Sequence, residues 1–191
     1  HSTGGQGRSL YAELMRNLAT RTKPEGGALA AVVEKFVSRV LAEARTSGAA
    51  PNDAIHAKLE HLKEMVGGYD FANVIASYWR GFEESNEPLK SDAIRRLRGE
   101  FPTRTDARHA LGVRTIIDDA SFYDQLKLLA RFTRLAGYAG LLICLDEMVN
   151  LYKLSNTQAR HSNYEQLLRI LNDSLQGSAE GLGWVLGGTP E

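Results

Sequence analysis

The amino-acid sequence predicts a mainly α-helical chain with a small parallel α/β part towards its C-terminal end. Three observations carry that expectation. Apolar residues recur at helical spacing through almost all of residues 10–137. The period then changes at Leu141–Leu145, a short continuous apolar run between Gly140 and Asp146, which is the pattern of a strand buried on both faces of a parallel sheet. A second run, Trp184-Val185-Leu186, follows a further helical stretch, and strand, helix, strand over such a length is a right-handed βαβ unit.

The elements follow in order. Leu10, Tyr11, Leu14, Met15 and Leu18 form one apolar stripe, and Leu29, Val32, Val33, Phe36, Val37, Val40 and Leu41 form a second that stops before Gly48 and Pro51. Ile55, Leu59, Leu62 and Val66 make a third, closed by Gly67-Gly68. Asp70 is the expected N-cap of a fourth helix carrying Phe71, Val74, Ile75, Tyr78, Trp79 and Phe82, and its aromatics read as core packing. Glu87-Pro88 opens a short basic helix that Gly99 ends. Thr105 is placed to cap a brief helix to Leu111, and Ser121 to open one in which Phe122, Leu126, Leu129, Phe132 and Leu135 precede Gly137. After residue 147 a helix with Met148, Leu151 and Tyr152, a polar loop over 155–162, and a helix with Tyr164, Leu167, Leu168, Leu171 and Leu175 lead to the second strand. The expected division is a helical region at 1–120 and an α/β part at 121–191, without internal repeat or linker.

Hydrophobic residues at 43% and charged residues at 24% suit a folded globular chain. Twenty-three basic residues balance twenty-three acidic ones, so no bulk field draws the chain to nucleic acid or an anionic membrane. Cys144 is the only cysteine, which excludes an internal disulfide and, inside the strand, reads as a small buried hydrophobe. No run approaches the roughly 20 apolar residues of a membrane span. A reducing, cytoplasmic setting is the expectation.

Leu-Leu-Ile-Cys-Leu-Asp-Glu at 141–147 carries the chemistry. An apolar strand ending in Asp-Glu is the Walker B pattern of P-loop ATPases: one carboxylate holds Mg²⁺ and its waters, the other polarises the attacking water. An acidic residue near a helix N-terminus is the structural alternative. The second strand runs into Gly187-Gly188-Thr189. In such ATPases the strand after Walker B ends in a polar residue that senses the γ-phosphate, and Thr189 is the candidate, with Gly188 giving close backbone access. A turn before Pro190 is the competing assignment for Thr189.

Leu-Asp-Glu-Met-Val-Asn-Leu-Tyr-Lys-Leu at 145–154, Asn163-Tyr164-Glu165, Leu171-Asn172-Asp173 and Gly-Gly-Thr-Pro-Glu at 187–191 together resemble the bacterial P-loop ATP-binding family of the BREX phage-defence systems. The resemblance is most specific over 110–191. It implies a partial P-loop NTPase of the additional-strand catalytic-Glu type with a helical insertion, ATP and Mg²⁺ as cofactors, Asp146 on Mg²⁺ through water and Glu147 as the water-activating carboxylate. Members carry a phosphate-binding loop upstream. Here Ser2-Thr3-Gly4-Gly5-Gln6-Gly7-Arg8-Ser9 fits that loop only if Ser2 replaces the first Gly and Arg8 the Lys; a tag remnant or a native loop are the other readings of this segment. The expected chain is therefore the Walker B and sensor portion of a longer ATPase, inactive alone. It would work in a nucleic-acid-related defence assembly, with self-association through a bare sheet edge or assembly with other defence proteins.

Arg95, Arg96, Arg98, Arg104, Arg108 and Arg114 form the one basic cluster. It reads as a solvated face, with DNA phosphates or a neighbour's nucleotide as the alternative. Arg160 stands where a trans-acting arginine finger can occur. His56 and His61, five apart, diverge around a helix and do not form a metal pair. A non-enzymatic helical interaction module remains the rival reading of the whole chain.

Overall fold

The computed structural model describes residues 6–145, 165, 169–170, 172–173, 176–177 and 179–187. Among them run seven helices and two strands: α1 (Gln6–Asn17), α2 (Leu29–Ser47), α3 (Pro51–Lys63), α4 (Gly68–Glu83), α5 (Glu87–Leu97), α6 (Arg104–Leu111), α7 (Phe122–Leu135), β1 (Leu141–Leu145) and β2 (Leu182–Leu186). The mainly helical class with a small parallel sheet is the one expected. Residues 146–164, which include the helix and loop expected after the acidic pair, lie outside the described residues.

The helix ends show why the stripes stop where they do. Gly48 takes φ 74° and its N–H donates to the Ala44 carbonyl, closing α2 in the left-handed conformation that a side chain resists. Pro51 then fills the first turn of α3, where its missing N–H costs nothing. Three expected boundaries move. α3 ends at Lys63, leaving Val66 in the turn and 71% exposed. α6 is capped by Thr103, not Thr105: the Thr103 hydroxyl accepts from the Asp106 amide at 3.1 Å and donates to its carboxylate at 2.6 Å. Asp70 lies in the first turn of α4, whose N-cap is Gly67, and its carboxylate instead takes the Thr115 hydroxyl at 2.6 Å and the backbone amides of Thr115 and Arg114.

One contiguous apolar core runs from Tyr11 to Leu182 and crosses residue 120 without a break. α7 is its centre. Phe132 packs between Phe36 of α2, ring centroids 4.8 Å apart, and Phe71 of α4 at 5.5 Å, so three helices meet on one fully buried ring. The same helix backs the sheet.

β1 and β2 pair in parallel, Leu141 opposite Leu182 through Leu145 opposite Leu186. Burial alternates along β1: Leu141 and Ile143 are buried, whereas Leu142 is 63% exposed and Cys144 is exposed. Among the described residues, the strand expected to be covered on both faces is thus covered on one. Its apolar run is written for two layers, and α7 supplies one; Cys144 falls on the open face with Leu142 and Val185 because side chains alternate.

Two buried polar side chains tie the helices together. Tyr11 Oη donates to the Leu97 carbonyl at 2.5 Å and accepts from Gln125 Nε2 at 3.3 Å. Arg96, 5% exposed, donates Nε to the Thr115 carbonyl and Nη2 to its hydroxyl, both at 3.0 Å, and that hydroxyl passes on to Asp70. The segment after α6 is therefore pinned between α4 and α5 by a cation and an anion that never touch. Burial lowers the Arg96 pKa, with Tyr11 and Asp70 opposing it.

Burial also raises the Tyr11 phenol well above its usual range, and burial plus the Glu34 carboxylate push Tyr78 to about 12 from 10.0. Above pH 10 the unfolded chain releases these protons and the folded one does not, so folding stability is full below pH 10 and falls as pH climbs towards 12. Tyrosinate absorbance across an alkaline titration is expected to show the Tyr11 and Tyr78 phenols ionising above the ordinary tyrosine value of 10.0. Tyr11→Phe is expected to remove one of these two and flatten the alkaline fall in denaturant midpoint.

Candidate functional site

Ligands of open parallel sheets bind outside the carboxyl ends of the strands, and β1 and β2 end level with one another. Leu145 is opposite Leu186, and the Gly187 amide carries the ladder one step further by donating to the Leu145 carbonyl at 2.8 Å. Asp146 and Glu147 follow Leu145 in the chain, and Gly188 and Thr189 follow Gly187. These four residues and Arg160 lie outside the described residues. What is described is the pair of strand ends from which two carboxylates and a Gly-Thr pair depart. Two adjacent carboxylates form a hard oxygen donor set of the kind Mg²⁺ takes. Among the described residues no group of three or more His, Cys, Asp or Glu is placed to hold a metal ion.

Arg8 is described, in the first turn of α1. Its amide donates to Asp119 Oδ1 at 2.9 Å and its guanidinium to the Phe101 carbonyl at 3.1 Å. Gly7 beside it is pressed against Phe122, whose ring would lie 2.5 Å from an added Cβ. The start of α1 thus binds a carboxylate and a carbonyl of its own chain.

The arginine cluster is divided among different tasks. Arg96 is buried on Thr115, Arg95 sits 3.3 Å from Asp92 and over the Phe101 ring at 4.6 Å, and Arg104 lies 3.9 Å from Asp118. Arg108 and Arg114 are exposed. The expected solvated face therefore holds for part of the cluster only, and acidic neighbours stand beside two of its members, Arg95 and Arg104.

The sequence reading passed over a polar stripe on α7. Tyr123, Lys127, Arg131 and Arg134 stand one helical turn apart and grip the chain that leads into β2. Tyr123 Oη donates to Asp173 at 2.6 Å, Lys127 reaches Asp173 at 3.3 Å, and Glu180 takes Arg131 on one oxygen at 3.3 Å and Arg134 on the other at 2.7 Å. An open cavity of about 510 Å³ lies over Tyr123, Lys127 and Asp173, with Arg169 and Asn172 on its rim. A second, more apolar groove of about 490 Å³ follows the other edge of β1, lined by Leu14, Leu18, Val32 and Leu126. The legible signal for the stripe is the recurrence of long polar side chains three or four residues apart along an otherwise apolar helix.

No curated protein and no solved structure matches the chain. A protein-family model described as BREX system ATP-binding protein BrxC/D does, and it spans residues 1–191, the helical region as fully as the strands. The chain belongs to the BREX system ATP-binding protein family BrxC/D.

Proposed function

We propose that this chain carries the catalytic-carboxylate part of an ATP-binding, ATP-hydrolysing P-loop protein of phage defence. The observation that supports it most is the level, parallel ending of β1 and β2, followed in sequence by Asp-Glu and by Gly-Thr. Asp146 would hold Mg²⁺ through water. Glu147 accepts a proton from the attacking water. Thr189, which follows β2 in sequence, would report the γ-phosphate, with Gly188 allowing close approach of the backbone, and Arg160 is the candidate for a finger reaching a neighbouring subunit. Mg²⁺, when bound, would neutralise charge between the β- and γ-phosphates. The protein works in the cytoplasm, in an assembly with other defence proteins or with its own copies, and by analogy with its family nucleic acid is the eventual target of that assembly. No helix among the described residues is long and apolar enough to cross a membrane.

The phosphate grip decides the activity of the chain by itself. Positioning of the β- and γ-phosphates needs backbone N–H groups and a Lys in a Gly-rich loop, and the amide of Arg8 already faces Asp119. Residues 1–191 alone are expected to show no saturable Mg-ATP binding below millimolar nucleotide in calorimetric titration, and the full product of the gene to bind in the micromolar range. If that full product bound no Mg-ATP, the reading would give way to a helical interaction module.

A further inference from the structure

The register of β2 against β1 needs an explanation that the strands themselves do not supply. A hairpin would fix it by its turn, but this pair is parallel and its connection is long. Face alternation rejects every slip by one residue, because that would carry Trp184 and Leu182 to the open side and Val185 to the core. It does not reject a slip by two. Such a slip keeps every side chain on its face, although it exchanges Leu182 opposite Leu141 for Glu180 or Trp184, and the ladder re-forms: the Leu141 amide, now on the Gly181 carbonyl at 2.8 Å, would find the equivalent carbonyl two residues away. Close approach at Gly140 does not discriminate either, since a glycine accepts a range of neighbours.

What differs between those registers is the turn that feeds β2. Glu180 is held by two arginines of α7, one on each carboxylate oxygen, and Gly181 beside it lies against the Arg134 side chain, whose Cδ would be 2.8 Å from an added Cβ. α7 is fixed in turn by the Phe36–Phe132–Phe71 contact. We propose that Glu180, clamped by Arg131 and Arg134, is a positioning residue that selects the observed register of β2 and so sets the level of its carboxyl end beside that of β1. Exposed ion pairs add little to global stability, but the clamp acts in the same direction as the strand face, where either slip would displace Leu182 from its buried place opposite Leu141. The consequence rests on the nucleotide reading: a slip of two residues moves the chain about 6.6 Å along the strand, which would offset the two strand ends after which Asp146-Glu147 and Gly188-Thr189 follow in sequence.

Disulfide trapping on the open face reads the register directly. Cys144 is opposite Val185, and in registers two residues away it would be opposite Gly183 or Gly187. In otherwise unaltered chain, Val185→Cys is expected to oxidise to a bridge with Cys144 at least tenfold faster than Gly183→Cys or Gly187→Cys. Adding Glu180→Arg is expected to reduce that preference to threefold or less, and further adding Arg131→Glu with Arg134→Glu to restore it. Helical circular dichroism monitors folding, and Glu180→Ala takes the place of Glu180→Arg if the reversal unfolds the chain. An unchanged preference in the folded Glu180 variant, or no recovery when the charges are exchanged, overturns the proposal. The assay contains no nucleotide, so its failure leaves the ATP reading standing, and absence of Mg-ATP binding leaves the clamp standing.

Discussion

Replacing Glu147 with glutamine in the full product of the gene is expected to slow ATP hydrolysis by roughly 10²–10⁴-fold, the range that general-base catalysis supplies. The amide is nearly isosteric with the carboxylate but cannot accept the proton of the attacking water. Mg-ATP affinity should stay within a few-fold, because the role proposed for Glu147 is on water and not on the ground-state nucleotide. Asp146→Asn should behave differently, weakening Mg-ATP binding as well as turnover, since its carboxylate is assigned to the metal's hydration shell. Single-turnover rates beside equilibrium binding separate the two. Undiminished hydrolysis by Glu147→Gln would remove the catalytic assignment and leave Asp146-Glu147 as a helix-terminal acidic pair.

Asp146 and Glu147 can be named from the sequence because they follow the apolar run of β1 in consecutive residues, while their placement lies outside the described residues. The packing around β1 cannot be read in the same way. The helices could be read because each apolar stripe is a local pattern, and ends such as Gly48 and Pro51 act within one turn. Asp70 was misread as a cap because a carboxylate in a first turn has the same local signature whether it serves its own helix or, as here, the Thr115 amide 45 residues away. Arg96 hid among five other arginines, although Leu89, Ala93 and Arg96 stand at i, i+4 and i+7 on the buried side of α5. Leu142 and Cys144 show the converse: an apolar run reports that a strand can be covered on both faces, and the number of layers present is a fact of tertiary packing. The grip of α7 on Glu180 joins residues 46 positions apart, beyond the reach of any periodicity.

Phe132→Ala is expected to be among the most destabilising single substitutions in the described core. Phe132 has no exposed surface and its ring touches those of Phe36 and Phe71, so truncation leaves a cavity where α2, α4 and α7 meet. Removing a fully buried Phe costs about 3–5 kcal/mol, and each lost aromatic pair accounts for about 0.5–1.5 kcal/mol of interaction beyond area. A domain of this size holds about 5–15 kcal/mol in all, and at about 2–4 °C per kcal/mol the melting temperature should fall by roughly 6–20 °C. Phe132→Leu, which keeps most of the volume, should cost less than half as much. Val185→Ala, on the open face of the sheet, should cost less still despite removing apolar atoms from a strand. The spread of the damage is the sharper test, because α7 backs the sheet with the same helix that carries Phe132. Hydrogen exchange at the Leu141 and Gly187 amides, which bond to Gly181 and Leu145, should accelerate in Phe132→Ala along with the amides of α2 and α4. Acceleration confined to the helices would mean that the strands hold their arrangement without the aromatic centre, and that the core running from Tyr11 to Leu182 is two cooperative units and not one.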